Sequence, residues 1–382
     1  MWAVPLQHTS PNIFERMRIA FYTPLNAGSR DIESQALAFA GKHRIFLLTQ
    51  SQPGPLHDRF RAHGFFTASH TFSFGQPHLL LFFRWAAFLF FCWRHRIDIV
   101  YSHLEPSNFV AVCAQFFVPA KVVVCRHHMD YARLKGFDQS FSYGFTYRWA
   151  NQIVVVSERT RQYMIAEEKI PAHKILAIPL AYDYRLFDHV NPCAVETITQ
   201  TYPAVLRLLT VCRLTEPKRP EVSVRLVREL RDNGWDANLI ILGEGEQRQA
   251  LTDQISELGL ESCVFLPGHV TNVLDFMAAS HFLVHPSVSE SSCISTKEAA
   301  LAELPVIVCR GVGDFDDFLV HETNAFLVST DRFVEESALI LNRWFSQPHA
   351  LKAIAKSLKE LTLTQFNIIH TADIYEQKFH QP

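Results

Sequence analysis

Glu290 and Glu298 bracket a short polar run, ESSCISTKE over 290–298, between two apolar stretches, HFLVHP at 281–286 and LPVIVC at 304–309. The order reads as strand, polar loop, helix and strand, with the helix running on through Ala299, Ala300, Leu301 and Ala302. In an open α/β sheet, the loop after a strand's carboxyl end is where ligands bind. A serine-rich helix start leaves backbone N–H groups unpaired, with the positive end of the helix dipole behind them. Glu290 falls in the loop and Glu298 inside the helix, so at about 1.5 Å of rise per residue the carboxylates stand roughly 10 Å apart. That is too far to share one proton. It suits a grip on the two ends of an extended ligand with an anionic middle, the shape of a nucleotide-sugar.

A second group of charged residues lies in LLTVCRLTEPKR at 208–219. A strand ending near Arg213 and a helix starting near Pro220 put Arg213 and Lys218 in the connecting loop. Arginine bonds two phosphate oxygens as a fork, and lysine adds a mobile point charge. Together they could neutralise a diphosphate without a metal. Alone they read more readily as solvated surface charge; beside Glu290 and Glu298 the phosphate reading prevails. His127, His128 and Asp130 could suggest metal ligands, but adjacent residues at a strand end point opposite ways, and no second cluster has ligand spacing. No metal is therefore expected. Gly243 and Gly245 lack the third glycine and the later acidic residue of a dinucleotide loop, and read as a turn.

These residues need a scaffold of strands and helices, and the chain alternates between the two from end to end. In the first half, strand runs fall at 18–22, 45–48, 97–101, 121–125 and 153–156, with helical segments such as 31–41 and 106–117 between them. A turn-rich passage with prolines at 179, 192 and 203 is the best domain boundary. The alternation then restarts, with strands at 206–212, 237–242, 263–266, 282–285, 306–309 and 325–328. Helices are expected at 220–233, 246–258, 273–279 and 296–302, and a helical tail over 333–379 with a break at Gln347 and Pro348. The pattern is that of two doubly wound domains with parallel sheets, with ligand expected in the cleft between them.

The composition excludes other classes. A length of 382 residues supports two or three domains, and the net charge of −2 gives no basis for a nucleic-acid partner. The eight cysteines form no C-x-x-C pair and read as small core residues in a reducing compartment. Residues 1–16 have no signal-peptide core and precede a natural start at Met17. The aromatic stretch at 79–93 is shorter than the roughly 20 residues a spanning helix needs. It reads as a buried helix packed on the sheet, the alternative being a helix with one face at a membrane surface.

The order of motifs in the second half resembles the donor-binding domain of the family 4 glycosyltransferases of the GT-B fold. The matching pieces are VCRLTEPK at 211–218, LIILGEG at 239–245, VFLPGHV at 264–270, HPS at 285–287, the E-x7-E segment, GVGDFDD at 311–317 and NAFLV at 324–328. The first half resembles the acceptor domain more loosely, through Gly28 to Asp31, residues 97–103 and Arg126 to His128. The resemblance implies an α/β fold of GT-B type, two Rossmann-like doubly wound domains facing a central cleft. It implies a disordered extension at 1–16, an acceptor-binding domain at 17–190, a linker at 191–204, a nucleotide-sugar-binding domain at 205–360, and a C-terminal helix at 361–382 crossing back.

By position, the resemblance implies that Arg213 and Lys218 bind the donor diphosphate and stabilise the departing nucleotide. Glu298 would hold the ribose hydroxyls and Glu290 the donor sugar, oriented by N–H groups of Ser291, Ser292, Cys293 and Ile294. Gly28 and Ser29 would approach the phosphates, backbone up to Val270 would contact the base, and His127 would stand on the acceptor side, with His128 its rival. The sequence departs from the family at Cys212, Ser29 and the Ser-Ser-Cys run, where glycines are usual. The implied reaction is a retaining transfer from a UDP- or GDP-sugar to a saccharide or lipid-linked acceptor, without metal or cofactor, in surface polysaccharide or glycolipid assembly. The expected location is cytoplasmic, compatible with peripheral attachment to the inner face of the membrane. A nucleotide-sugar epimerase and a catalytically silent binding subunit are the rival readings.

Overall fold

The computed structural model describes residues 16–73, 75–127 and 144–379. The readings made for residues 1–15, His128 and Asp130 lie outside them. The chain divides into two compact units, Met1–Val124 and Cys125–Pro382.

In the first unit, β1 (Arg18–Thr23) carries the apolar run that the sequence marks as a strand, and Ile19, Phe21 and Tyr22 are fully buried on it. Then come α1 (Arg30–Ala40), β2 (Arg44–Thr49), α2 (Pro55–Ala62), β3 (Phe66–Ser69), α3 (Pro77–His95), β4 (Ile99–His103), α4 (Ser107–Ala114) and β5 (Lys121–Arg126), whose last two residues belong to the second unit. Helices α1 and α2 turn Phe39 and Phe60 onto Phe21, with ring centroids 6.3 and 6.2 Å away. The short strand β3 was not legible in the sequence. It pairs in parallel with β2 at the sheet edge, and its residues are exposed or half-buried, so it lacks the apolar run that marks a buried strand.

Helix α3 departs from the buried reading of 79–93. Phe88, Phe91 and Cys92 face the core, whereas Phe82, Phe83, Phe90 and Trp93 are exposed. Helix α3 carries more apolar side chains than its inward face holds, and the remainder stay exposed.

The second unit holds β6 (Gln152–Val155), α5 (Glu158–Ala166) and β7 (Ile175–Ala177). With β1 to β5 these strands complete a sheet of order β3-β2-β1-β4-β5-β6-β7. Next comes α6 (Pro192–Thr201), within the passage read as a linker. Asn191 Oδ1 accepts the Cys193 N–H at 3.1 Å, and Pro192 takes the first helical turn. Asn before Pro is thus a helix start here, because proline's missing N–H costs nothing at that position.

The second sheet has the order β10-β9-β8-β11-β12-β13, and its described pairings are parallel. Its elements in chain order are β8 (Leu206–Val211), α7 (Pro220–Asp232), β9 (Ala237–Leu242), α8 (Arg248–Glu257), β10 (Val264–Gly268), α9 (Val273–Ala278) and β11 (Phe282–His285). After these come α10 (Ile294–Leu301), β12 (Val306–Cys309), α11 (Phe315–Phe318), β13 (Phe326–Val328), α12 (Phe333–Trp344), α13 (Pro348–Gln365) and α14 (Ile368–Phe379). Every residue of β9, β11, β12 and β13 is buried, which is why they read as unbroken apolar runs. The helical tail breaks at Gln347 and Pro348 as expected, and again at Phe366 and Asn367, where Tyr182 N–H donates to Phe366 O at 2.9 Å. The cysteines are all free; Cys193 is exposed and Cys113 and Cys212 half-buried, so the core reading holds for the other five.

The strand order of the second sheet runs one way from β8 through β9 and the other way from β8 through β11. That reversal is the switch point of an open α/β sheet, where the loops leaving adjacent strand ends diverge and leave room for a ligand.

Candidate functional site

Both loops singled out in the sequence leave the sheet at this switch point. Residues 212–215 follow β8, and residues 286–293 follow β11. The first is pinned by its backbone: Cys212 N–H donates to Leu242 O at 3.1 Å, and Leu214 N–H to Glu244 O at 3.0 Å. The turn read at 243–245 is the bed on which it lies. A Cβ on Gly243 would stand 1.9 Å from Cys212 O, and one on Gly245 2.3 Å from Leu214 O, so the close approach needs glycine at both. The second loop is tied to the first where Val288 N–H donates to Pro217 O at 2.9 Å.

Across this junction Lys218 Nζ donates to Glu290 Oε1 at 2.5 Å and to Ser289 O at 3.3 Å. The same Glu290 oxygen lies 2.6 Å from His285 Nε2. Glu290 is buried, which raises its pKa, but His285 and Lys218 outweigh burial and hold it down to about 2. Burial opposes a charge on His285, while Cys293 and Glu290 favour one and raise its pKa. His285 Nδ1 is buried without a partner among the described residues. Nε2 faces a carboxylate, which only accepts, so the ring donates to Glu290 from Nε2.

Cys293 caps helix α10, its Sγ 3.6 Å from His285 Nε2 and 3.1 Å from Ser295 Oγ. Burial raises its thiol pKa, but the facing His285 brings it below the ordinary value. His285, Glu290 and Cys293 offer ligand-type atoms within 4.8 Å of one another and could hold a metal. Glu290 Oε1 is already engaged by Lys218 and His285. Cys212, beside this group, is pushed up to about 12 by burial and is an inert thiol.

Behind the loop sits a buried ion pair that the sequence reading missed. Lys297 Nζ donates to Asp314 Oδ2 at 2.7 Å, to Ser292 Oγ at 3.0 Å and to Cys293 O at 3.4 Å, with the Phe366 and Phe318 rings 4.4 and 5.0 Å away. Asp314 Oδ1 accepts the Cys293 N–H at 3.3 Å. Of the four N–H groups assigned to orient a sugar, that of Cys293 is therefore already taken. Those of Ser291, Ser292 and Ile294 have no hydrogen-bond partner among the described residues. The signal for the ion pair was a lysine amid small buried residues of a helix, with an aspartate after the two glycines of 311–313.

The other expected residues fall as follows. Arg213 is exposed beside the junction, its guanidinium without a partner among the described residues. Glu298 is buried in the second turn of α10, and Val270 is half-buried just beyond β10. His127 joins the site through its backbone, its carbonyl accepting a hydrogen bond from Ser291 Oγ. Gly28 and Ser29 belong to the first unit. There Gly28 is exposed, and Ser29 precedes α1 with its hydroxyl donating to Asp31 Oδ1. Asp317, the last residue of the motif at 311–317, accepts the Glu158 N–H at 3.1 Å.

Two doubly wound parallel sheets, with charged residues gathered at the switch point of the second, define a protein of the GT-B class. Comparison with known proteins gives the family. The sequence model described as "Glycosyl transferases group 1" matches residues 202–360, and that described as "Glycosyltransferase Family 4" matches residues 32–185. The chain belongs to these family-4-like glycosyltransferases. It is 27% identical over 237 residues to 2-deoxystreptamine glucosyltransferase of Streptomyces kanamyceticus, covering 59% of this chain and 60% of that one. It is 26% identical over 170 residues to an uncharacterized glycosyltransferase of Methanocaldococcus jannaschii, covering 44% of this chain and 41% of that one. These alignments thus span less than two thirds of either relative. The crystal structure of Anabaena HepE in complex with UDP-glucose shares the fold, with a TM-score of 0.80, 20% identity, and coverage of 95% and 99% of the two chains.

Proposed function

We propose that the protein transfers a sugar from a nucleoside-diphosphate sugar to a saccharide or lipid-linked acceptor, with retention of anomeric configuration. The observation that carries this reading is the Lys218–Glu290 junction at the switch point, with the exposed Arg213 and the open N–H groups of α10 beside it. A diphosphate would draw on Arg213, Lys218 and the helix start, while Glu298 would take the ribose. UDP is taken as the donor's nucleotide after the UDP-glucose complex of Anabaena HepE, with GDP, used by a 25%-identical mannosyltransferase of Mycobacterium tuberculosis, as its rival.

In the step itself, the bond between the anomeric carbon and the phosphate oxygen breaks, and its electron pair leaves with the nucleoside diphosphate. The acceptor hydroxyl forms the new bond on the same face and gives its proton to the departing phosphate oxygen. Arg213 and Lys218 stabilise the charge gathering on that oxygen, an electrostatic contribution that positioned cations supply without reorganising. Glu290 is a poor nucleophile for a double displacement, because its engaged oxygen is neutralised by Lys218 and His285. It acts instead on the sugar hydroxyls. Chemistry on a surface polysaccharide or glycolipid would bring such an enzyme to a membrane.

A thermal-shift panel of UDP-, GDP- and ADP-sugars tests the donor assignment, since a ligand bound only by the folded state raises the unfolding temperature. A shift with UDP-sugars that Lys218→Ala removes is expected. No shift with any nucleotide-sugar would overturn the reading.

A further inference from the structure

Helix α3 presents an apolar stripe at helical spacing to solvent rather than to the core. Phe82 and Phe90 are 56% and 71% exposed, and Trp93, three residues after Phe90, is 61% exposed. The end of α4 extends the patch through Phe116 and Phe117, which are 67% and 57% exposed. Trp93 Nε1 donates to Phe117 O at 3.0 Å, and the Phe117 ring stands 5.4 Å from Trp85, so the two pieces form one surface. Exposed aromatics in such a group are the mark of an interaction surface, since scattered single residues are the norm elsewhere. No described helix is long and apolar enough to cross a membrane.

The charges around the patch point to its partner. Helix α3 and its cap carry Arg84, Arg94 and Arg96 and no carboxylate side chain, while the preceding Arg59 and Arg61 are already paired with Glu33 and Asp58. Arg94 and Arg96 end the helix and are exposed. A two-fold contact between copies would set these arginines against their own counterparts, with no acid in the segment to answer them. An anionic lipid surface answers them directly. Aromatic side chains favour the level of the headgroups, and an amphipathic helix with basic residues lies in that plane.

We infer that the α3 face, led by Phe82, Phe90 and Trp93 and ringed by Arg94 and Arg96, docks the protein on an anionic lipid bilayer. This deepens the proposed function, since a lipid-linked acceptor lies in such a surface, and it rests on that reading for its purpose alone. The test therefore omits donor and acceptor. The full chain is sedimented with vesicles of phosphatidylcholine containing phosphatidylglycerol, and with vesicles of phosphatidylcholine alone.

Binding is expected to be at least tenfold stronger to the anionic vesicles and to weaken with salt, as surface charge attraction does. Phe82→Ser with Phe90→Ser should reduce it by tenfold or more, and Arg94→Glu should reduce it by several-fold. All these positions are exposed, and the thermal shift given by UDP-sugars reads folding and the donor site independently. Equal sedimentation of parent and variants would overturn the inference. So would a parent dimer in solution that Phe82→Ser with Phe90→Ser dissolves, because the face would then belong to a second copy. Vesicle binding without any nucleotide-sugar shift would leave the docking in place and remove the proposed donor.

Discussion

The ammonium of Lys218 lies 2.5 Å from the Glu290 carboxylate, joining the loop after β8 to the loop after β11. The cation that the proposed function assigns to phosphate is thus held by the carboxylate it assigns to sugar, and a bound diphosphate would share Lys218 rather than recruit it from solvent. Lys218→Ala should therefore lower turnover by about two orders of magnitude, the scale of losing one charge-stabilising group. It should also weaken the donor-dependent thermal shift. Steady-state kinetics with the donor found by the nucleotide panel checks this, and wild-type turnover would remove Lys218 from the site.

The depressed pKa of Glu290 makes acid stability its own readout. Its carboxyl titrates near 4.5 ordinarily and near 2 in the folded protein, so the unfolded chain binds more protons between those values. Stability from this group is complete above about 4.5 and is lost as pH falls towards about 2. Glu290→Gln should flatten the acid limb of a stability-against-pH curve. Parallel curves for the two proteins would mean that His285 and Lys218 do not hold Glu290 as the distances imply.

The sequence made most of this arrangement legible, and the gaps have physical causes. The buried strands of the second sheet appear as apolar runs, and α7 begins at Pro220 as read. Strand β3 was hidden because its residues are not fully buried, and α6 because Asn191-Pro192 reads both as a turn and as a helix start. Arg213, Lys218, Glu290 and Glu298 could be placed by their positions after strands. The partner of Glu290 could not: His285 was quoted within a motif, yet nothing in sequence spacing tells that its ring turns onto a carboxylate five residues on. The ion pair of Lys297 and Asp314 spans 17 residues and two helix starts, so no helical or strand period announces it.

Gly313 gives a steric test of how Glu290 is placed. Its φ is +59°, and a Cβ there would stand 2.5 Å from Glu290 Cβ and 2.9 Å from the Glu290 carbonyl carbon. Gly313→Ala should cost about 1–3 kcal/mol and displace Glu290, lowering activity beyond the loss of stability. Gly64 also has positive φ, +75°, but open space around it. Gly64→Ala should cost about 1 kcal/mol for its backbone alone and leave turnover unchanged. Chemical denaturation with kinetics on both variants separates strain from displacement.

The absence of a metal requirement is an expectation with a direct check. In the proposed function, Arg213 and Lys218 would supply the positive charge for which many phosphate enzymes use a divalent ion. Full activity is expected in EDTA. Activity lost in EDTA and restored by magnesium or manganese would contradict this reading and direct attention to His285, Glu290 and Cys293.

Lys297 holds the loop without facing the proposed ligand. Its side chain is fully buried, and its Asp314 partner fixes the Cys293 N–H while its own ammonium fixes Ser292 Oγ. Removing one charge leaves the other buried and uncompensated, so Lys297→Met should lower stability by about 3–5 kcal/mol. Replacing both, as Lys297→Met with Asp314→Leu, removes the stranded charge and should recover much of that loss. It would not recover the hydrogen bonds to Ser292 and Cys293. The double variant should thus fold yet bind the donor more weakly than the parent, measured as a smaller nucleotide-sugar thermal shift. If donor binding returned in full with stability, the pair would matter only for packing, and the loop geometry at 290–293 would owe nothing to it.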